Sequence, residues 1–466
     1  MKRKIIIGLI LLLASLPFFF SFRYFSRAKA IKANIVIDVN KTLGPFSDRW
    51  KALAQGGEEK GRMLGNVVSQ IAGLYPRYIR LDHIYDYYDV VSRDANNNLV
   101  FNWNKLDQTV CDIYNAGAKP FFSLGYMPPA VSSDGSLISQ PKDWNEWSFI
   151  VQKTVEHYSG KSNRLCGQIT GYWKTDIYYE VWNEPDLETF GKWSLYGGEK
   201  DYKRLYFYSS VGAQNARDVY PFKLGGPVTT ALYKNWIQVF LDYVSANNLR
   251  LDFISWHHYS KKTDDYTDDM IKLNEWLSPK PYRKYQQLPR IISEWGYDSD
   301  PNPIADTDVG AAHTIKSIRN FINYGFEMAF LFEIKDGPSP RWGILSYEGN
   351  KKPRYQALQL LNLLDGKQLQ VNGEGTYVNS LATISSEKIA VVLVNYDEQN
   401  KNTELVPVTF TNLAEGQYTI TIHYLEGNSV TIPNIQVTNG QLRRDILMKP
   451  NTVIAIELIK DGYIHF

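Results

Sequence analysis

Cysteine is almost missing from this chain of 466 residues, which has only Cys111 and Cys166. No Cys-x-x-Cys, His-Glu-x-x-His or Cys/His cluster occurs, so the usual zinc-ligand spacings are absent and neither a metal nor another cofactor is expected. Cys111 falls in a helical stretch, Leu106–Ala116, where a buried free thiol is favoured over a disulfide. An excess of one charge is missing too. The chain has 51 basic and 49 acidic residues, a net charge of +2, and no basic run stands out beyond the N-terminus. That excludes nucleic acid as a partner. There is no tandem repeat or low-complexity segment, and no Gly/Ser/Pro-rich linker to tether one domain loosely to another.

What is present is ordinary globular composition, 44% hydrophobic and 21% charged. The length exceeds one ordinary core, so it calls for two domains or one large barrel. Aromatic residues reach 14%, with 12 Trp and 32 Tyr. Such rings suit a protein that stacks on the apolar faces of sugars. At the start, Lys2, Arg3 and Lys4 precede an uncharged run, Ile5 to Phe22, and Arg23, Arg27 and Lys29 follow it. The run exceeds a signal-peptide core of roughly 7–15 residues and just reaches a short spanning helix. Residues 1–30 are a signal peptide, cut near Ala28-Lys29-Ala30, or an uncleaved membrane anchor. The two arginines before that site favour the anchor. Either way the rest is exported, secreted or held at the cell surface, and the membrane is a partner if the segment stays uncleaved.

After a strand near Ile35–Val39, short apolar runs alternate with amphipathic stretches. The strands read as Trp50–Gln55, Tyr78–Leu81, Pro120–Leu124, Ile177–Val181, Lys223–Gly226, Phe253–Trp256, Arg290–Ser293 and Ala329–Phe332. The helices between them read as Lys60–Leu74, Lys105–Ala116, Trp144–His157, Asp201–Ala216, Leu232–Ser245, Thr267–Leu277, Asp308–Tyr324 and Pro353–Leu364. Eight strands, each followed by a helix, predict an α/β fold, a (β/α)₈ TIM barrel over residues 45–364. From residue 365 to 466 strand-like runs replace helices, which predicts a C-terminal β-sandwich. The early strand within 31–44 has no barrel role and is expected to join that sandwich.

In such a barrel reactive side chains sit at the carboxyl ends of the strands. Strand four ends in Trp182-Asn183-Glu184-Pro185 and strand seven in Ser293-Glu294-Trp295. The two glutamates are 110 positions apart, so no local helix pairing explains them. Two carboxyls brought to one cleft divide into an acid and a nucleophile, the pattern of glycoside hydrolysis. Glu184 is expected to hold the proton and Glu294 to be kept ionised by Arg80 and Tyr259. A separation of ~5–5.5 Å is expected, as retention requires. Asn183 is placed to meet the sugar 2-hydroxyl. Arg80 serves equally as a barrel salt bridge to Glu180. His257 and Tyr259 share a face by strand alternation, and His258 packs. Asp82, Tyr126, Trp295 and Trp342 complete the substrate-binding candidates. Trp182 is another possible platform, although each such ring taken singly is more often core.

These motifs resemble the clan A glycoside hydrolases. Tyr78-Ile79-Arg80, the run Pro120 to Pro128, Gly343-Ile344-Leu345-Ser346-Tyr347 and Lys352-Pro353-Arg354-Tyr355 resemble family 39, that of β-xylosidases, α-L-iduronidases and some exopolysaccharide endoglycosidases. The resemblance implies that Glu184 is the acid/base and Glu294 the nucleophile of a retaining hydrolase. Two positions depart from the family's xylosidases: Asp82-His83 replaces a His-Gly, and Phe332 stands for a Trp. Together with Tyr85, Tyr87, Tyr88, Tyr126, Trp193 and Trp342 spread over the barrel-top loops, they favour endo-action on a polysaccharide. The alternatives are an exo-acting β-xylosidase and a non-catalytic carbohydrate-binding surface protein.

Overall fold

The computed structural model describes residues 30–169, 177–339 and 342–462. The apolar run Ile5–Phe22 lies outside them. Among the described residues no helix is long and apolar enough to cross a membrane.

Eight parallel strands close into a barrel: Ala52–Gln55, Tyr78–Leu81, Lys119–Leu124, Ile177–Val181, Phe222–Thr229, Phe253–Tyr259, Arg290–Gly296 and Met328–Phe332. They are called strands one to eight below. Alternation sorts their side chains. Ala52, Ala54, Tyr78, Phe121, Tyr178, Phe253, Ile291, Phe330 and Phe332 fill the interior. Leu53, Ile79, Phe122, Tyr179, Leu224, Ile254 and Leu331 face outward into the layer shared with the helices.

The helices follow their sequence signals. Asp143, Asp201 and Thr307 cap Trp144–Ser159, Tyr202–Asn215 and Asp308–Tyr324 by accepting from backbone N–H groups, a contribution of about 1 kcal/mol each. Gly325, at φ +73°, ends the last of these. The first helix departs from expectation. It spans only Val68–Ala72, because Gly61 (φ +85°) and Gly65 interrupt the preceding stretch and glycine is a poor helix former. The loop after strand two holds a hairpin, Val91–Arg93 with Leu99–Phe101. Its signal is the Asp94-to-Asn98 turn, in which Asp94 accepts from the N–H groups of Asn96 and Asn98.

The second unit is a nine-stranded sheet. Its order is Ser429–Val437, Gly416–Tyr424, Thr452–Lys460, Ile389–Asn395, Val378–Ile384, Lys367–Asn372, Ile35–Pro45, Glu404–Thr411 and Gln441–Met448. Both ends of this order supply one core, with Tyr418 and Ile420 joining Val408 and Leu442, so the sheet folds over itself as a β-sandwich. Ile35–Pro45 runs parallel to Glu404–Thr411 and antiparallel to Lys367–Asn372. Two strands are dominated by polar residues, Lys367–Asn372 and Gln441–Met448, which hid them in the sequence. Leu381, Val392 and Val394 face the barrel's own core. Tyr396 donates to the Lys261 carbonyl at 2.7 Å, and Arg319 pairs with Glu374.

The expectation for the cysteines fails: Cys111 and Cys166 form a disulfide. Cys111 is on the helix Asn104–Asn115, and Cys166 lies in the turn of the hairpin Arg164–Leu165/Gln168–Ile169, 55 residues away. Sequence spacing alone says nothing of such a meeting across a loop.

Candidate active site

Strand four delivers Asn183 and Glu184. Trp182 (φ +75°) and Glu184 (φ +41°) adopt left-handed conformations, each costing about 1–3 kcal/mol for a non-glycine residue. This turn buries the Trp182 ring, which donates to the Phe190 carbonyl at 2.9 Å. The Glu184 N–H is tied to the Val228 carbonyl at 3.1 Å. Strand seven delivers Glu294, with His257 of strand six beside it in register.

One oxygen of Glu184, one of Glu294 and a ring nitrogen of His257 all lie within 4.8 Å of one another. His257 Nδ1 is 2.9 Å from Glu184 Oε1 and 3.8 Å from Glu294 Oε2. Tyr259 donates to Glu294 Oε1 at 2.5 Å, and Arg80 Nη1 donates to Oε2 at 3.3 Å. The Glu184 and Glu294 carboxyls keep some exposure, 12% of each side chain, while His257 and Arg80 are sealed behind them.

Arg80 makes both of its expected contacts at once, Glu294 through Nη1 and the fully buried Glu180 through Nε at 2.9 Å, and adds a third, with Nη2 on Asn183 Oδ1 at 2.8 Å. Since arginine can only donate, this fixes the Asn183 amide, which turns Nδ2 toward Tyr126 Oη at 2.9 Å. Tyr126 in turn donates to Asp82 Oδ2 at 3.1 Å.

Burial pushes the Glu294 carboxyl above its usual range. His257 and Arg80 pull it back, Glu184 pushes it further, and the Tyr259 hydroxyl pulls down. The neighbours expected to keep Glu294 ionised therefore act in that direction, but burial outweighs them. Burial opposes a charge on His257, yet Glu294 and Glu184 outweigh it and raise its pKa. Burial also raises the Tyr259 phenol well above its ordinary value, with Glu294 adding to it, so it remains a donor.

Three candidate platforms do not reach substrate. Trp295 is buried against Tyr266 and Phe321, because it alternates outward from Glu294. Trp182 and Tyr126 are buried as well, so Tyr126 positions Asn183 rather than a sugar. Asp82 is 7% exposed and reaches the site through Tyr126. Trp342 remains half-buried beside Phe332, with ring centroids 5.6 Å apart. Of the other loop rings, Tyr85, Tyr88 and Trp193 are buried, and Tyr87 stacks on His83 at 4.1 Å. His258 turns to Asp269 at 2.6 Å.

Sequence reasoning missed a clamp behind the site. Gln55, the one polar residue in Ala52–Gln55, donates to Glu333 Oε2 at 3.1 Å and to the Lys335 carbonyl at 3.0 Å. Glu333 is fully buried. Burial, with Glu58, Asp336 and Glu294, drives its carboxyl well above the ordinary range. The trio Glu184, His257 and Glu294 is also close enough to share a cation. However, Arg80 and Tyr259 already occupy both Glu294 oxygens, and the Arg80 charge opposes a second cation there.

Comparison with known proteins agrees with this geometry. The chain is 25% identical over 356 residues to a β-xylosidase of Caldicellulosiruptor saccharolyticus, covering 70% of this chain and 68% of that protein. It is 26% identical over 340 residues to a β-xylosidase of Geobacillus stearothermophilus, covering 64% of each, so the match spans just under two thirds of that relative. The crystal structure of the GH39 enzyme from Xanthomonas axonopodis pv. citri superposes with a TM-score of 0.75 at 18% identity, over 92% of this chain and 98% of that one. The model of glycosyl hydrolases family 39 matches residues 33–430, and the chain belongs to that family of glycoside hydrolases.

Proposed function

We propose that this protein is an exo-acting retaining glycosidase that removes single sugars from β-xyloside-type chains. One observation carries the mechanism: the two carboxylates approach within 4.8 Å around His257. Retaining enzymes hold their carboxyls ≈ 5–5.5 Å apart, whereas inverting enzymes need ≈ 6.5–9.5 Å for a water. Glu184 protonates the leaving oxygen while ionised Glu294 attacks the anomeric carbon. Glu184 then takes a proton from the water that releases the sugar. Asn183, locked by Arg80 and Tyr126, offers its free N–H to the 2-hydroxyl, a bond that strengthens at the transition state.

The exo reading replaces the endo expectation because its premise weakens. Of the six loop rings that argued for an open groove, Tyr85, Tyr88, Tyr126 and Trp193 are buried and offer no stacking face. The β-xylosidase relatives point the same way. Export is supported by the Cys111–Cys166 disulfide, which persists in oxidising compartments, and by the apolar N-terminal run.

Product sizing with xylo-oligosaccharides tests the substrate, and NMR of the first product anomer tests retention. Monosaccharide of retained configuration from the first minutes is expected. Early oligosaccharides from a polymer would restore the endo reading, and an inverted product would remove the mechanism.

A further inference from the structure

Away from the catalytic mouth, a cavity of about 390 Å³ opens on the outer wall of the barrel. It lies between the end of the helix Trp144–Ser159 and the stretch leaving the surface hairpin, and it shares no lining residue with the catalytic site. We propose that this cavity binds a neutral oligosaccharide, as a glycan site separate from the one that cleaves. The inference goes beyond the catalytic assignment and stands on the lining itself.

One wall is aromatic. Trp103 lies nearly parallel to Phe101 (centroids 5.7 Å, 8°) and to His157 (4.6 Å, 12°). Phe149, which is not part of the lining, backs Phe101 edge-on at 5.8 Å. Phe101 and Trp103 are only partly buried against the core. His157 covers one face of Trp103, and the part of the two rings that stays uncovered lines the cavity with apolar surface of the kind that packs against the C–H faces of a sugar.

The remaining wall is polar without net charge. Lys153 and Arg217 are balanced by Glu156 and Asp218. Lys153 and Glu156 pair at 2.8 Å, and His157 is held by Asp107 at 2.9 Å. A phosphate or a polyamine would meet equal attraction and repulsion here, whereas a polyhydroxylated neutral ligand finds both donors and acceptors. Lys153, Glu156 and His157 are already held by these pairs, so binding has few of these side chains left to order. The volume lies in the ≈ 300–1,000 Å³ range of small-molecule sites.

The test is affinity electrophoresis of the full chain carrying Glu294→Gln, in gels containing soluble xylan, galactomannan or mixed-linkage β-glucan. Retardation is expected with at least one polymer. Trp103→Ala or Arg217→Ala, added to that background, should weaken it about tenfold or more with an unchanged circular-dichroism spectrum. Should Trp103→Ala fail to fold, the exposed Arg217 decides. No retardation with any of the three polymers, or equal retardation of a folded variant, overturns the proposal. Glu294→Gln prevents turnover but leaves the catalytic cleft able to bind, so the proposal is read only from the difference between that background and its Trp103→Ala or Arg217→Ala variants, compared in the same polymer.

Discussion

Arg80 and Glu294, 214 positions apart in the chain, meet at 3.3 Å at the mouth of the barrel, and the other end of the same guanidinium is held by Glu180. The arginine that steadies the proposed nucleophile is thus anchored by a carboxylate buried away from the cleft. Arg80→Met should abolish detectable turnover and cost about 3–5 kcal/mol of stability, because it strands Glu180 as an unpaired buried charge. The double variant Arg80→Met/Glu180→Met should recover most of the stability in urea melts and none of the activity. If the double variant regains turnover, Arg80 has only a structural role.

The barrel, and the meeting of Glu184 with Glu294 at its mouth, were legible because their signals are local. A run such as Ile177–Val181 followed by Asn183-Glu184-Pro185, or Arg290–Ser293 followed by Glu294, shows both the strand and the side chain at its end. Ring exposure was not legible. Tyr85, Tyr126 and Trp295 stand in loop or strand-end positions just as Trp342 does, and only packing decides which keep a free face. The sheet strands Lys367–Asn372 and Gln441–Met448 were hidden because polar residues dominate them, Lys367, Gln368, Gln370 and Asn372 in one and Gln441, Arg443, Arg444 and Asp445 in the other. The disulfide and the Gln55–Glu333 clamp depend on contacts between distant segments, which no spacing records.

Glu184→Ala separates the two glutamates by leaving group. Without a proton donor, a poor leaving group such as another sugar should be released about 10²–10⁴-fold more slowly, the usual contribution of general acid catalysis. A dinitrophenyl glycoside, which departs without protonation, should lose far less in the glycosylation step. Steady-state kinetics on the two substrates read the difference. Equal losses on both would end the assignment of Glu184 as the acid.

The disulfide closes 55 residues between Cys111 and Cys166. Loop-closure entropy for such a loop contributes at most about 4 kcal/mol through the unfolded chain. Cys166→Ser, or reduction of the wild type, should therefore lower the thermal midpoint by several degrees. Activity below the transition should be unchanged, because neither cysteine contacts the catalytic groups. Identical melting with and without reductant would show that the pair does not close in the purified protein.

The nucleophile's setting fixes the sign of the pH response. Glu294 must be ionised to attack, so kcat/KM falls as pH drops through its pKa, and burial places that limb above the usual carboxylate range. The Tyr259 hydroxyl opposes this shift by donating to the ionised form. Tyr259→Phe removes the donor, so the Glu294 pKa must rise further and the acid limb must move to higher pH. The loss in kcat/KM should accordingly be larger under acid conditions than at neutral pH. A pH–rate profile of the two proteins on one aryl glycoside shows this directly. A uniform loss across the whole range would mean that Tyr259 serves substrate binding or packing and leaves the charge of Glu294 to Arg80 and His257 alone.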